Sequence, residues 1–256
     1  MDIERLAGHL DDARRHGQEV ERLTLDAPDL DLPQAYRVMD AGIALRVSRG
    51  ERVIGMKMGL TSEAKRKQMS LEAPIYGILT DAMVVRGTFH LQGTLHPKIE
   101  PEIAFRFARG LQGTPDRAAV LAACTGVGPA LEILDSRYRD FKYFSLPDVV
   151  ADNASSSHVL LPERWVEVEG RNLAAVDLVM SVDGTPRQRA TGAAISGDPV
   201  LSVVQLCALL AARGQTLAAG SVVLAGAATV AEQLAAGMEV GLAAGWLGSL
   251  SVRVEP

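Results

Sequence analysis

Along the first fifty residues, apolar positions recur every three or four places, the spacing of a helix with one buried face. Ile3, Leu6 and Leu10 form the first such stripe, and Ala35, Met39 and Ile43 form the second. The second run has a legible start. Asp31 can cap it, Pro33 stands in its first turn, and Gln34 is placed to close a capping box with Asp31. Arg49-Gly50 ends the run, and Asp26-Ala27-Pro28-Asp29 reads as the linker between the two helices. Fifty residues of this kind cannot hold a core of their own, so residues 1–50 are expected to form a helical cap on a body spanning 51–256.

After Arg52 the period shortens. Residues 53–59 read as a strand, Thr61 as the cap of a short helix through Ala64 and Met69, and 76–79 and 103–107 as further strands. A helix opening at Thr114-Pro115 and running through Val120, Leu121 and Cys124 precedes a strand at 130–134. Residues 178–182 lead into Asp183-Gly184, a hairpin signal. Asp198-Pro199 opens a helix that carries Val203, Leu206, Cys207 and Leu210 and closes at Gly214. Strands at 221–224, 238–242 and 250–254 complete the chain. Many short strands, few helices and 24 glycines predict an α+β protein with a mixed β body rather than a regular βαβ order.

Composition removes several function classes. A formal charge of −5 argues against a phosphate-backbone binder, and 4% aromatic residues leave few stacking platforms, so no nucleic-acid partner is expected. No uninterrupted apolar run approaches the roughly 20 residues of a membrane span, and the polar start Met1-Asp2-Ile3-Glu4-Arg5 is unlike a secretory leader. A cytoplasmic protein without a membrane is the expectation. Cys124 and Cys207 lie in apolar surroundings and read as reduced thiols, although counting alone does not exclude a disulfide. There is no CxxC, HExxH or Gly-x-Ser-x-Gly, and the one phosphate-loop-like glycine spacing lacks its strand-loop-helix context.

The acids are more informative. In an extended chain Glu100 and Glu102 project from one face, about 6.6 Å apart along the backbone. They are either a solvated edge or two ligands of a hard divalent cation. Pro101 between them lacks an N–H and favours an edge or pre-strand position. Glu132 sits in the apolar run Leu131-Glu132-Ile133-Leu134, where an unpaired carboxylate is costly; a salt bridge to Arg137 or Lys142 is the structural alternative to a ligand role. The string Asp152-Asn153-Ala154-Ser155-Ser156-Ser157 suits either a pocket wall or a capped turn. Lys57, between two methionines, is a solvent-facing strand residue unless a site claims it.

Five ordered segments carry a resemblance: Gly55-Met56-Lys57-Met58-Gly59-Leu60-Thr61-Ser62, Pro74-Ile75-Tyr76-Gly77, His96-Pro97-Lys98-Ile99-Glu100-Pro101-Glu102, Glu132-Ile133-Leu134-Asp135-Ser136-Arg137-Tyr138 and Val150-Ala151-Asp152-Asn153-Ala154-Ser155. With them the chain resembles the 4-oxalocrotonate (2-oxo-3-hexenedioate) decarboxylases. These belong with the vinylpyruvate hydratases in the fumarylacetoacetase-like superfamily. The likeness runs over nearly the whole chain and is densest over 52–160. It implies a fumarylacetoacetase C-terminal-like mixed β-sandwich or roll with a small N-terminal helical cap. By resemblance, Glu100, Glu102 and Glu132 match the metal-binding carboxylates, for Mg2+ with Mn2+ as substitute, and Lys57 matches the active-site lysine. No organic cofactor is expected. Pro101 departs from the small residue usual between the first two glutamates, and the Ala-rich segment 224–229 departs from the usual Gly, Ser or Thr, so Thr229 is carried only as a weak substrate contact.

The implied reaction is decarboxylation of (3E)-2-oxohex-3-enedioate to 2-hydroxypenta-2,4-dienoate in aromatic meta-cleavage catabolism. Leu71, Ile75 and Tyr76 are candidates to line the departing carboxylate, Arg137 and Lys142 to orient a carboxylate, and Ser155 to line the pocket. The partners implied are a small 2-oxo-dicarboxylate, further copies of the chain in a homo-oligomer, and a vinylpyruvate hydratase. Two alternatives stand beside this reading: a vinylpyruvate hydratase itself, and a non-catalytic partner subunit of one. A C–C hydrolase of the acylpyruvate type needs a His–acid pair, but no histidine lies near Lys57, and His96 stands beside Pro97.

Overall fold

The capping box expected at Asp31 is present in the computed structural model, which describes residues 1–62, 74–141, 145–168 and 170–256. Asp31 accepts from Gln34 N at 2.8 Å and the Gln34 side chain accepts from Asp31 N at 3.1 Å, starting helix α3 (Leu32–Ser48). Helix α1 (Ile3–His16) is capped by Asp2 and ends at Gly17 in the left-handed region. A single helical turn, α2 (Leu23–Asp26), overlaps the expected linker. The apolar faces of α1 and α3, with Leu6, Leu10, Val38, Met39 and Ile43, join one continuous core with the β body. That sharing lets so short a helical segment stay folded.

The body holds two sheets. In the larger, the strand order is β2 (Ile75–Thr80), β1 (Val53–Gly59), β9 (Val222–Leu224), β4 (Lys98–Phe107), β5 (Cys124–Leu134) and β6 (Ser156–Leu160), and β10 (Glu232–Gln233) pairs with β4. The smaller sheet runs β3 (Thr88–His90), β12 (Ser249–Glu255), β11 (Glu239–Ala243), β7 (Asp177–Val182) and β8 (Thr185–Thr191). Both are mixed: β1 is parallel to β9 and β12 to β3, and the other pairs are antiparallel. The predicted hairpin joins β7 to β8, with Asp183 and Gly184 both at positive φ as its tight turn requires.

Three helices complete the body: α4 (Arg117–Ala123), α5 (Leu146–Ala151) and α6 (Pro199–Ala212). Asp116, not Thr114, caps α4, which stops before Cys124 because that residue already opens β5. Asp198 caps α6 as expected. The stretch Gly192–Ala212 matches a membrane span in length and mean hydropathy, but Ser196-Gly197-Asp198-Pro199 and Gln205 break its apolar run. A turn at 195–198 interrupts it, and Val200, Val203, Leu206 and Leu210 are buried in the core. Both cysteines are free thiols, Cys207 buried and Cys124 half-buried. The helix expected after Thr61 falls largely outside the described residues.

Candidate metal centre

Strand β4 begins at Lys98, five residues earlier than its apolar run announces, so Glu100, Pro101 and Glu102 lie inside it. It is antiparallel to β5, with Glu100 directly opposite Glu132. Alternation along β4 puts Glu102 on the same face as Glu100, so register alone gathers three acids. Like charges directly opposed across a sheet are destabilising. One carboxylate oxygen from each of the three lies within 4.8 Å of the others.

Pro101 sits inside a strand rather than at an edge, because that side of β4 changes partner there. β10 pairs with Lys98 and Ile99, and β9 pairs only from Ala104 onward. The Pro101 carbonyl accepts from Ala228 N at 2.9 Å, and its ring nitrogen faces the same gap, where no ladder bond is lost.

Burial makes the cluster costly unless it is compensated. Glu102 and Glu132 are fully buried, and Glu100 is half-buried. Glu102 Oε2 accepts from Gly226 N at 2.7 Å; its Oε1 is buried with no hydrogen-bond partner among the described residues. Glu132 Oε1 accepts from Ser156 Oγ at 2.7 Å, and Oε2 faces Lys57 Nζ at 3.1 Å, within ion-pair distance but off the hydrogen-bond direction. Desolvation, then the charge of Glu132, drives the Glu102 pKa well above the carboxylate range; Lys57 pulls it down, Glu100 adds to the rise, and the Gly226 amide opposes it. A divalent cation fits this donor set. It would occupy the orphaned Glu102 oxygen and turn the repulsion among three hard oxygen donors into coordination.

Backbone features aim these groups. Gly226 holds φ +110, and a Cβ there would stand 2.4 Å from Thr61 Oγ1, so only glycine brings its amide to Glu102 without displacing Thr61. Lys57 reaches the cage from β1, where it is paired with Gly77 on one side and Leu224 on the other, and is 3% exposed. The solvent-facing reading of this lysine is thereby overturned.

A cleft of about 320 Å³ opens on the cage. Its charged wall contains Lys57, Lys98 and Glu100; Ile75, Leu134, Val149, Ala154 and Val230 line it with apolar surface. Of the residues expected to meet substrate, Ile75 is in this wall. Tyr76, one residue on along β2, points to the opposite face. It stacks on Tyr36 with ring centres 4.8 Å apart, and its hydroxyl bonds to Gln215 and Arg213. Arg137 is also directed elsewhere: its guanidinium is bound to the Asp152 carboxylate and to the carbonyls of Asp135 and Asp152, beside residues of α1 and α3. Ser155 is buried with its carbonyl accepting from Asp135 N, and Thr229 Oγ1 donates to the Val230 carbonyl beside the cleft rim. Leu71 and Lys142 lie outside the described residues.

Sequence reasoning gave no site role to Gly226, Lys98 or Val149, and it offered Ser156 only within a string suited to a pocket wall or a capped turn. Lys98 had a usable signal, since it stands two places before Glu100 on the same alternating face. Gly226 had none, because its value lies in a contact with a distant strand.

Residues 55–255 match the model of the fumarylacetoacetate (FAA) hydrolase C-terminal family, and the chain belongs to that family. Within it, the chain is 43% identical over 253 residues to a 4-oxalocrotonate decarboxylase of Pseudomonas sp., covering 98% of this chain and 97% of that protein. It is 33% identical over 256 residues to a 2-hydroxyhexa-2,4-dienoate hydratase of Comamonas testosteroni, covering 98% and 97%. The solved structure of 4-oxalocrotonate decarboxylase from Pseudomonas putida G7, complexed with magnesium and adipate, superposes with a TM-score of 0.94 at 37% identity, covering 98% and 97%. The expected fold, with its N-terminal helices, is therefore the fold of this chain.

Proposed function

We propose that this chain is a metal-dependent carboxy-lyase that converts (3E)-2-oxohex-3-enedioate to 2-hydroxypenta-2,4-dienoate and CO2. The observation that carries the reading is the three-carboxylate cage with its orphaned Glu102 oxygen, set at the base of a half-apolar cleft. Greater identity to a decarboxylase than to a hydratase supports the choice of reaction.

Glu100, Glu102 and Glu132 would hold the ion, oriented by Ser156 and Gly226. When bound, Mg2+ or Mn2+ supplies a positive centre for the α-keto acid oxygens, where negative charge develops. Lys57, buried beside Glu132, adds a fixed positive charge near those oxygens. Breaking the bond to the distal carboxylate releases CO2, and its electron pair spreads through the alkene to the keto oxygen, which takes up one proton. Ile75, Leu134, Val149 and Val230 give the cleft apolar walls that disfavour a solvated carboxylate and favour neutral CO2.

The same likeness supports residues 1–50 as a cap and 51–256 as the catalytic body, a cytoplasmic homo-oligomer, and contact with a hydratase that consumes the product. The test incubates purified protein with the dienedioate and, separately, with 2-hydroxypenta-2,4-dienoate. CO2 release that needs Mg2+ is expected from the first. Formation of 4-hydroxy-2-oxopentanoate from the second, without CO2 release from the first, would make the chain a hydratase; no turnover of either would leave it a partner subunit.

A further inference from the structure

Asn153, Ala154 and Ser155 are three consecutive non-glycine residues in the left-handed region, at φ 51, 50 and 58. L-residues are penalised there because Cβ crowds the following carbonyl; asparagine tolerates it, and alanine has no side-chain hydrogen bond to offset it. A chain with 24 glycines places none in this turn.

The surroundings hold the turn at both ends. Ile78 N donates to Asn153 Oδ1 at 2.7 Å and Asn153 Nδ2 donates to the Ile78 carbonyl at 2.9 Å, fixing the turn to β2. A Cβ at Gly77 would stand 2.7 Å from the Asn153 carbonyl, so β2 and the turn meet backbone to backbone. Asp152 accepts from Arg137 N at 3.0 Å, and Asp135 N donates to the Ser155 carbonyl at 2.9 Å, fixing the far end to the chain after β5. Strain that persists under such restraint clusters at functional sites.

Two consequences of the turn reach the cleft. Ala154 forms part of its wall, and the first residue after the turn, Ser156, donates to Glu132 Oε1. The β5–β6 register slips at this point, Leu134 pairing with Ser156 and Ile133 with His158. Ser157 is left to hydrogen-bond the His158 ring. The turn thus decides which of three successive serines meets the cage.

We infer that the left-handed turn 153–155 is a positioning device for the carboxylate cage, held in strain by Asn153 and Asp152 so that the Ser156 hydroxyl fixes Glu132. This rests on the reading of the cage as a metal site. Ala154 and Ser156 are positioning residues under it.

The test uses the full chain carrying Ala154→Gly, Ser156→Ala or both. It reads the melting of chelator-treated protein and Mn2+ affinity by electron paramagnetic resonance. Ala154→Gly is expected to melt no lower than wild type, yet to bind Mn2+ about tenfold more weakly, the scale of a lost outer-shell support. Ser156→Ala should weaken binding by about the same factor. The double variant should bind like Ser156→Ala alone, because both changes act through one hydroxyl. Melting several degrees lower in Ala154→Gly, wild-type Mn2+ affinity in that variant, or losses that multiply to about a hundredfold would each overturn the inference. Wild-type protein that binds no Mn2+ would overturn the metal reading and this inference together, whereas tight wild-type binding left intact by Ala154→Gly would overturn only the device.

Discussion

Lys57 Nζ stands 3.1 Å from Glu132 Oε2, and both side chains are almost wholly buried. The pair ties β1 to β5 across β9 and β4, so it lies over the middle of the larger sheet. A lone buried ion pair is weak evidence for stability, since desolvating two charges offsets most of their attraction. Here the ammonium also shares its surroundings with Glu100 and Glu102, which gives it a role beyond holding two strands together.

Lys57→Met separates these roles. Removing a positive charge beside a cation site should leave Mg2+ affinity unchanged or tighten it, while turnover falls by about a hundredfold through loss of charge stabilisation. Calorimetric Mg2+ titration alongside CO2 release checks both. Near-normal turnover, or affinity falling with turnover, would reduce the lysine to a structural counter-ion of Glu132.

Arg137→Met tests a residue expected at the substrate and found bound to Asp152 and Asp135 beside α1 and α3. Its removal leaves Asp152, 2% exposed, without its charge partner. A loss of about 3–5 kcal/mol of stability is expected in denaturant melts, with KM unchanged in the folded fraction. Burial already raises Asp152 to a pKa of about 6 despite Arg137, so the loss should shrink at acid pH, where the carboxyl is neutral. A raised KM with normal stability would restore Arg137 to the substrate.

What the chain disclosed in advance follows its local chemistry. The Asp31–Gln34 box, the Asp183-Gly184 turn and the Asp198 cap are each decided within a few residues, and each was legible. The acids Glu100, Glu102 and Glu132 were legible because a two-residue period and a costly buried charge are both local signals, reinforced by the resemblance. Direction was not. Tyr76 and Ile75 are neighbours with the same apolar character, and only the packing of Tyr36 and Arg213 on one face of β2 settles which of them meets the cleft. Strands β6 and β10 were hidden for a similar reason. β6 opens in a serine run and β10 is two residues long, and both are strands because β5 and β4 offer them an edge.

His158 gives the pH prediction. Burial first, then the charges of Arg46, Arg14 and Arg137, lowers its pKa from 6.5 to about 4. Between those values the unfolded chain binds a proton that the folded chain refuses, so this group's contribution to stability falls as pH is lowered from 6.5 towards 4. The gap corresponds to about 3 kcal/mol. Asp152, raised from 3.8 to about 6, acts in the opposite direction over nearly the same window, so the wild-type curve alone is ambiguous. The difference between wild type and His158→Gln isolates the histidine. It should move by about 3 kcal/mol in favour of the variant between pH 7 and pH 4, measured by urea unfolding at each pH, and a constant difference would contradict the assignment.

Three side chains from two strands, Glu100 and Glu102 of β4 and Glu132 of β5, should form one divalent-metal site. Anomalous diffraction from crystals of the chelator-treated protein soaked in Mn2+ tests it most directly. One strong peak is expected about 2.1 Å from an oxygen of each of Glu100, Glu102 and Glu132, and it should disappear in Glu102→Gln crystals. A peak elsewhere, or none among these acids in crystals of protein that still releases CO2, would contradict it.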